Sequence, residues 1–173
     1  MKNKITLVVI TIFFVFCFVI FYKGLNNSNT YIPDIKEKRD LPVLVTKDFY
    51  SGKKINLNEI FVDSNFYIMN IWASWCLPCR KEHHILMDLN KNKLIKIIGI
   101  NYKDNFHNAK NFIDEFGDPY DQILIDKNGT LAIELGAYGV PETFIINKEK
   151  KIIKRIVGPM NEKILNEIKL YFE

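Results

Sequence analysis

The sequence predicts an α/β domain, a mixed central sheet flanked by helices, preceded by one N-terminal transmembrane helix. Three observations predict it. Residues 5–22 form an uncharged apolar run, strand-like and helix-like segments alternate from residue 66 onward, and two further strand segments close the pattern as a hairpin. Alternation calls for parallel strands with helices packed on both faces, and a terminal hairpin adds antiparallel neighbours.

The apolar run reads ITLVVITIFFVFCFVIFY, interrupted only by Thr6 and Thr11. At ~1.5 Å rise per residue its length nearly spans a ~30 Å hydrocarbon core. Lys2 and Lys4 precede it and Lys23 follows, a bias that places the N-terminus in the cytoplasm. No small-residue cleavage pattern follows, so the segment reads as a retained anchor rather than a cleaved signal. Cys17, flanked by Phe16 and Phe18, reads as a small lipid-facing hydrophobe. The expected organisation is an anchor at 1–23, a polar linker at 24–40 containing Pro33, and a domain at 41–173.

Within that domain, residues 41–45 and 55–60, separated by Ser51 and Gly52, suggest a short extended entry. FYIMNIW (66–72) and LIKIIGI (94–100) have the aliphatic and aromatic density of buried strands. Between them, 76–89 reads as a helix with Ile85, Leu86 and Leu89 on one face. Phe106, Ala109, Phe112, Ile113 and Phe116 recur at helical spacing until Gly117 stops them. A strand at 122–125, the turn Asp126-Lys127-Asn128-Gly129 and a short helix over 130–135 come next. Strands at 143–147 and 151–157 form the hairpin, and Ile164, Leu165, Ile168 and Phe172 mark a last amphipathic helix. The net charge of +4 and the absence of any Lys/Arg run argue against a nucleic-acid partner.

The chemistry is carried by Trp75-Cys76-Leu77-Pro78-Cys79, where a buried strand gives way to a helix. A helix N-terminus favours a thiolate through its partial positive charge and unpaired N–H groups. Cys76 there is expected to be an exposed nucleophile of lowered pKa, with Cys79, one turn on and more buried, as the resolving thiol. Pro78 suits a first turn, where its missing N–H leaves no bond unmade. Cys76, Cys79, His83 and His84 also have metal-like spacing. Zinc sites normally draw ligand pairs from two elements, so no metal is expected and the histidines read as a solvated helix face. With three cysteines in the chain and two of them in this motif, no disulfide framework is possible.

NIWASWCLPCRKEH (70–83) resembles the active-site segment of thioredoxin-like proteins, and GAYGVPETFIIN (136–147) resembles the segment that carries their cis-proline. With 99–104 and 117–120, the likeness is closest to the cytochrome c maturation reductases, the CcmG/DsbE family, over about residue 41 to the C-terminus. The resemblance implies a thioredoxin-like fold and a cis Val140–Pro141 bond, where the sequence alone equally allows a trans proline opening a strand. It implies that the Val140 backbone lies beside Cys76 to pair with an incoming chain, with Trp75 lining the groove. Asn70 occupies the position where many thioredoxins carry a buried Asp and cannot titrate in its place. Glu142 therefore stands either as a substitute acid that tunes the cysteines or as a surface strand carboxylate. Glu82 has a family counterpart too, and reads equally as an exposed helix charge paired with a Lys.

The function expected from the resemblance is a membrane-anchored periplasmic thiol–disulfide oxidoreductase with its redox-active Cys76–Cys79 pair and no other cofactor. Its expected partners are apocytochrome c, or a dithiol protein that holds it for haem ligation, and a transmembrane thiol reductase as electron donor. Two alternatives stand beside this: a general periplasmic disulfide oxidase or isomerase, and a binding module that holds apocytochrome.

Overall fold

The structure, a computed structural model, describes residues 2–26, 39–61, 66–92 and 94–171. Phe172 and most of the expected linker lie outside the described residues. The chain divides into two compact units, Met1–Tyr31 and Ile32–Glu173.

The first unit carries helix α1 (Lys2–Asn26), 25 residues long. Its stretch Lys4–Gly24 is long and apolar enough, by length and composition, to cross a membrane. Thr11 Oγ1 donates to the Leu7 carbonyl at 2.9 Å, so this hydroxyl is satisfied within the helix.

The second unit is built on one mixed sheet. Its strands are β1 (Arg39–Asp40), β2 (Val45–Asp48), β3 (Lys54–Asn56), β4 (Phe66–Trp72), β5 (Ile95–Tyr102), β6 (Gln122–Asp126), β7 (Glu142–Asn147) and β8 (Lys151–Val157), in the order β1-β8-β7-β4-β5-β6-β2-β3. The strands β4, β5 and β6 run parallel; on one side β7 pairs antiparallel with β4 and β8 antiparallel with β7, and on the other β2 pairs antiparallel with β6. The expected mixed sheet and terminal hairpin are both present. Residues 55–60 differ from expectation. Only 54–56 are extended, and Asn56 then caps the short helix α2 (Leu57–Ile60) by accepting from Asn58 N. A side-chain acceptor at that position gives the backbone a helical exit from the strand.

Alternation along β4 separates two apolar layers. Ile68 and Trp72 face the layer that holds α3 (Leu77–Leu89), α4 (Phe106–Phe116) and α6 (Glu162–Lys169), through Leu86, Phe112 and Leu165. Tyr67, Met69 and Ile71 face the other layer, with Leu57 of α2 and Leu131 of α5 (Thr130–Glu134). Since β4 and β5 are buried on both faces, they read as continuous apolar runs. Asn161 caps α6 by accepting from Ile164 N at 3.0 Å. Asn161→Ala is expected to lower stability by about 1 kcal/mol, read as a shift in urea midpoint.

One glycine makes room for the site. Gly99 of β5 sits opposite Asn70, and a Cβ there would lie 2.9 Å from Trp72 Nε1 and from the Tyr120 ring. With no side chain at 99, Trp72 and Tyr120 stack at a centroid distance of 5.5 Å.

Candidate active site

The main chain leaves β4 at Trp72 and enters α3 through a tight turn at Ala73–Cys76, in which Cys76 N donates to the Ala73 carbonyl at 3.2 Å. Cys76 is the N-cap of α3, with extended backbone, and its Sγ accepts from Cys79 N at 3.1 Å. The sulfur therefore sits where the helix presents its unpaired N–H groups, the placement that favours a thiolate. Pro78 lies in the first turn. Cys76 and Cys79 are joined as a disulfide, with a Cα–Cα distance of 5.3 Å.

In this oxidised state Cys76 is not the exposed thiol expected from the sequence: Cys76 is 4% exposed and Cys79 3%. Both cysteines are part of the α3 layer, and Trp75 (58% exposed) and Leu77 form the exposed rim. Asp104 clamps the loop ahead of Cys76. It accepts from Ser74 N at 2.5 Å, Ser74 Oγ at 2.8 Å, Asn101 Nδ2 at 3.0 Å and Asn105 N at 2.8 Å. Trp75 Nε1 donates to the Lys103 carbonyl at 3.2 Å, which ties the ring to the same loop. Asp104→Ala leaves these donors without their charged acceptor and is expected to lower stability by about 2 kcal/mol, measured by denaturant unfolding.

The Val140–Pro141 bond is cis. Pro141 is buried, its carbonyl accepts from Gly158 N at 3.0 Å, and Val140 packs against the layer that contains both cysteines. Among the described residues no hydrogen bond involves the Val140 backbone.

Glu142 is not a surface carboxylate. It is fully buried and forms an ion pair with Arg155, Oε1 accepting from Nε, while Oε2 accepts from Tyr138 N at 2.9 Å. The Arg155 guanidinium lies 4.2 Å from the centroid of the Tyr138 ring, which is 78% exposed. Glu142 thus braces the loop that leads into Pro141. Its carboxylate is paired with the Arg155 guanidinium.

Glu82 also differs from its reading as an exposed helix charge. It is not exposed and has no Lys partner: its exposure is 0%, and among the described residues no cation forms an ion pair with it. Its Oε1 accepts from Asn70 Nδ2 at 2.9 Å and its Oε2 from Met160 N at 2.7 Å. Burial pushes its pKa up to about 7, against the opposing pull of the two donors. Glu82 lies three residues after Cys79, and residues three apart on a helix share a face.

His83 also differs from expectation. It is buried rather than solvated, donates from Nε2 to the Gly117 carbonyl at 2.9 Å, and meets Phe112 edge-on. Burial lowers its pKa, so it is neutral at pH 7. His84 is exposed. No group of three or more potential metal ligands occurs among the described residues.

Sequence reasoning missed the partners of these groups: Tyr120 and Thr143 on Asn70, Arg155 on Glu142, and the Asp104 clamp. Tyr120, Thr143 and Asp104 stand inside the recognisable segments, so the signal was present, but its meaning lies in contacts between distant parts of the chain.

The Redoxin family matches residues 27–169. The chain belongs to the Redoxin family. Among curated relatives it is 41% identical over 111 residues to the thiol:disulfide interchange protein CycY of Rhizobium leguminosarum, covering 64% of this chain and 60% of the relative. It thus spans less than two thirds of that relative's length. It is 35% identical over 129 residues to the thiol:disulfide interchange protein DsbE of Pasteurella multocida, covering 75% of this chain and 70% of the relative. The crystal structure of a DsbF homologue from Corynebacterium diphtheriae superposes with a TM-score of 0.69 at 21% identity, covering 84% of this chain and 94% of that one. At that identity the superposition establishes the thioredoxin-like fold. Within the Redoxin family this is a thioredoxin-like protein of the DsbE type, and the Cys-x-x-Cys reading of a thiol–disulfide oxidoreductase agrees with that kinship.

Proposed function

We propose that this DsbE-type protein is a membrane-anchored reductant of protein disulfides outside the cytoplasm, acting on the haem-attachment cysteines of apocytochrome c or on a dithiol protein that holds them. One observation carries the reading: the disulfide caps the N-terminus of α3 with the hydrogen-bond-free backbone of Val140 packed in the same layer. An incoming extended chain has there a free main-chain edge to pair with and a sulfur poised as thiolate.

The cycle conserves electrons and protons. A donor dithiol, supplied by a transmembrane thiol reductase, attacks Cys76 Sγ to form a mixed disulfide, and its second thiol then resolves that bond, so the donor leaves as a disulfide with two electrons transferred, Cys76 is freed as thiolate, and Cys79, displaced in the first step, stands as thiolate. Glu82 gives that thiolate a proton, since its carboxyl is about half protonated near pH 7. Reduced Cys76 then attacks a target disulfide, forming a mixed disulfide and releasing one target thiolate. Cys79, its proton returned to Glu82, attacks Cys76 Sγ, which releases the second target thiol and restores the disulfide. In these steps Cys76 is the nucleophile, Cys79 the resolving thiol and Pro141 the residue that shapes the docking edge. Pro78 sets the first turn of the helix. Val140 offers its backbone, Trp75 flanks the groove, and Glu142 holds the loop in place.

The anchor at 1–23 and the linker at 24–40 keep the domain at 41–173 near both partners and raise its effective concentration there. Lys2 and Lys4 ahead of the apolar run support an inner-membrane orientation with the domain in the periplasm. Free thiols are needed for thioether bonds to haem in a compartment that favours disulfides.

The test is the Cys76–Cys79 reduction potential, measured by equilibration against a thiol buffer. The expected value lies well below the ~ −120 mV of a strong periplasmic oxidant. A value near that figure overturns the reductant reading in favour of an oxidase.

A further inference from the structure

We propose that Asn70 is the positioning residue for Glu82, setting how tightly that carboxyl holds its proton, and that Tyr120 sets which way the Asn70 amide points. The inference deepens the reading of Glu82 as proton partner of Cys79 and rests on it.

Asn70 lies at the centre of β4, fully buried, with Thr143 of β7 opposite it in register. Three polar groups converge on its amide. Tyr120 Oη donates to Asn70 Oδ1 at 3.0 Å, while Asn70 Nδ2 donates to Glu82 Oε1 and to Thr143 Oγ1, each at 2.9 Å. The two ends of an amide are nearly the same shape, so only the chemistry of the neighbours decides its orientation. Glu82, when ionised, only accepts. Tyr120 is buried, which raises its pKa well above 10, so its phenol stays protonated and has an O–H to give. A donor on one side and an acceptor on the other fix Oδ1 towards Tyr120 and Nδ2 towards Glu82. Thr143 Oγ1 accepts the second N–H, and the buried amide has both donors and its acceptor engaged.

Other charged groups near this network are committed elsewhere. On α3 itself, Arg80 lies over the Phe112 and Phe116 rings, Lys81 is exposed, and His83 is turned to the Gly117 carbonyl. Asp118, ahead of β6, holds Tyr120 N and Tyr50 Oη. On β7, Glu142 is paired with Arg155, and Lys169 of α6 reaches Asp88. Met160 N ahead of α6 is the second donor to Glu82. The proton affinity of Glu82 is therefore a contest between burial, which favours the neutral acid, and two donors, which favour the carboxylate. One of those donors is Asn70. An Asp at position 70 would titrate in its own right, whereas Asn acts as a fixed dipole on a neighbour that titrates.

The test follows the Glu82 carboxyl 13C resonance against pH in the full-length oxidised chain in detergent micelles, assigned by its loss in Glu82→Gln. The wild-type midpoint is expected near pH 7. Asn70→Leu keeps the branching at Cγ and removes the donor, and is expected to raise the midpoint by about one pH unit, a tenfold gain in proton affinity. Tyr120→Phe frees the amide to turn and is expected to raise it by less. It also decides the matter if Asn70→Leu does not fold. A midpoint that fails to rise in the folded variants overturns the proposal, because a merely structural Asn70 alters stability and leaves the titration of Glu82 in place. Turnover of a protein disulfide by the same wild-type sample keeps the two readings apart. Its absence defeats the reductant reading, while the titration still decides the role of Asn70.

Discussion

Cys76→Ser abolishes turnover of a protein disulfide, with an expected loss of at least about a thousandfold, because it removes the N-cap sulfur of α3 that forms the mixed disulfide. Cys17, the third cysteine, lies in the separate unit that carries α1. Cys79→Ser is expected to behave differently. Its Cys76 still attacks, but the intermediate has no resolving thiol and accumulates as a covalent adduct, visible by non-reducing electrophoresis and by intact mass. If Cys79→Ser turns over freely without adduct while Cys76→Ser traps one, the assignment of nucleophile and resolver is reversed. Attack on a target is made by the reduced form, in which the Cys76–Cys79 bond is broken.

The second large effect is on stability. Glu82 titrates near 7 in the folded chain against an ordinary value of 4.5. A carboxyl whose folded pKa is raised leaves stability intact below the unfolded pKa. As pH rises, the unfolded chain ionises first and gains what the folded chain cannot, so stability falls from about pH 4.5 and levels off above about pH 7. The difference between the two values corresponds to about 3 kcal/mol across that window. Glu82→Gln cannot ionise, and its stability relative to wild type is expected to rise by that amount between pH 4 and pH 8. Urea unfolding of both proteins at the two pH values, with the disulfide intact, measures it. Parallel stabilities at pH 4 and pH 8 would refute a buried, titrating Glu82. Such a carboxyl is a liability for the fold near neutral pH, in keeping with the proton transfer proposed for it.

The hairpin turn shows how far local signals carry. The segment at 147–150 has no Gly, yet Lys150 adopts a positive φ of 60°, held by a hydrogen bond from its N to the Asn147 carbonyl at 2.9 Å, while Asn147 Oδ1 accepts from Lys151 N at 2.9 Å. The Asn side chain supplies the turn chemistry that glycine supplies elsewhere.

The sequence by itself determined the apolar helix, the order of strands and helices, the hairpin and the place of the two cysteines at a helix start. Those features rest on periodicity, turn residues and spacing, which act between neighbours along the chain. It did not determine which acidic residue is buried beside a cation and which is buried without one. Glu142 and Glu82 look alike as letters. Packing gives Glu142 a cation from β8, thirteen positions on, and gives Glu82 only an amide and a backbone N–H. Burial and partners are properties of the assembled sheet, contributed by segments far apart in sequence, and in a low-dielectric interior they decide that Glu82, buried without a cation, has its pKa pushed up to about 7.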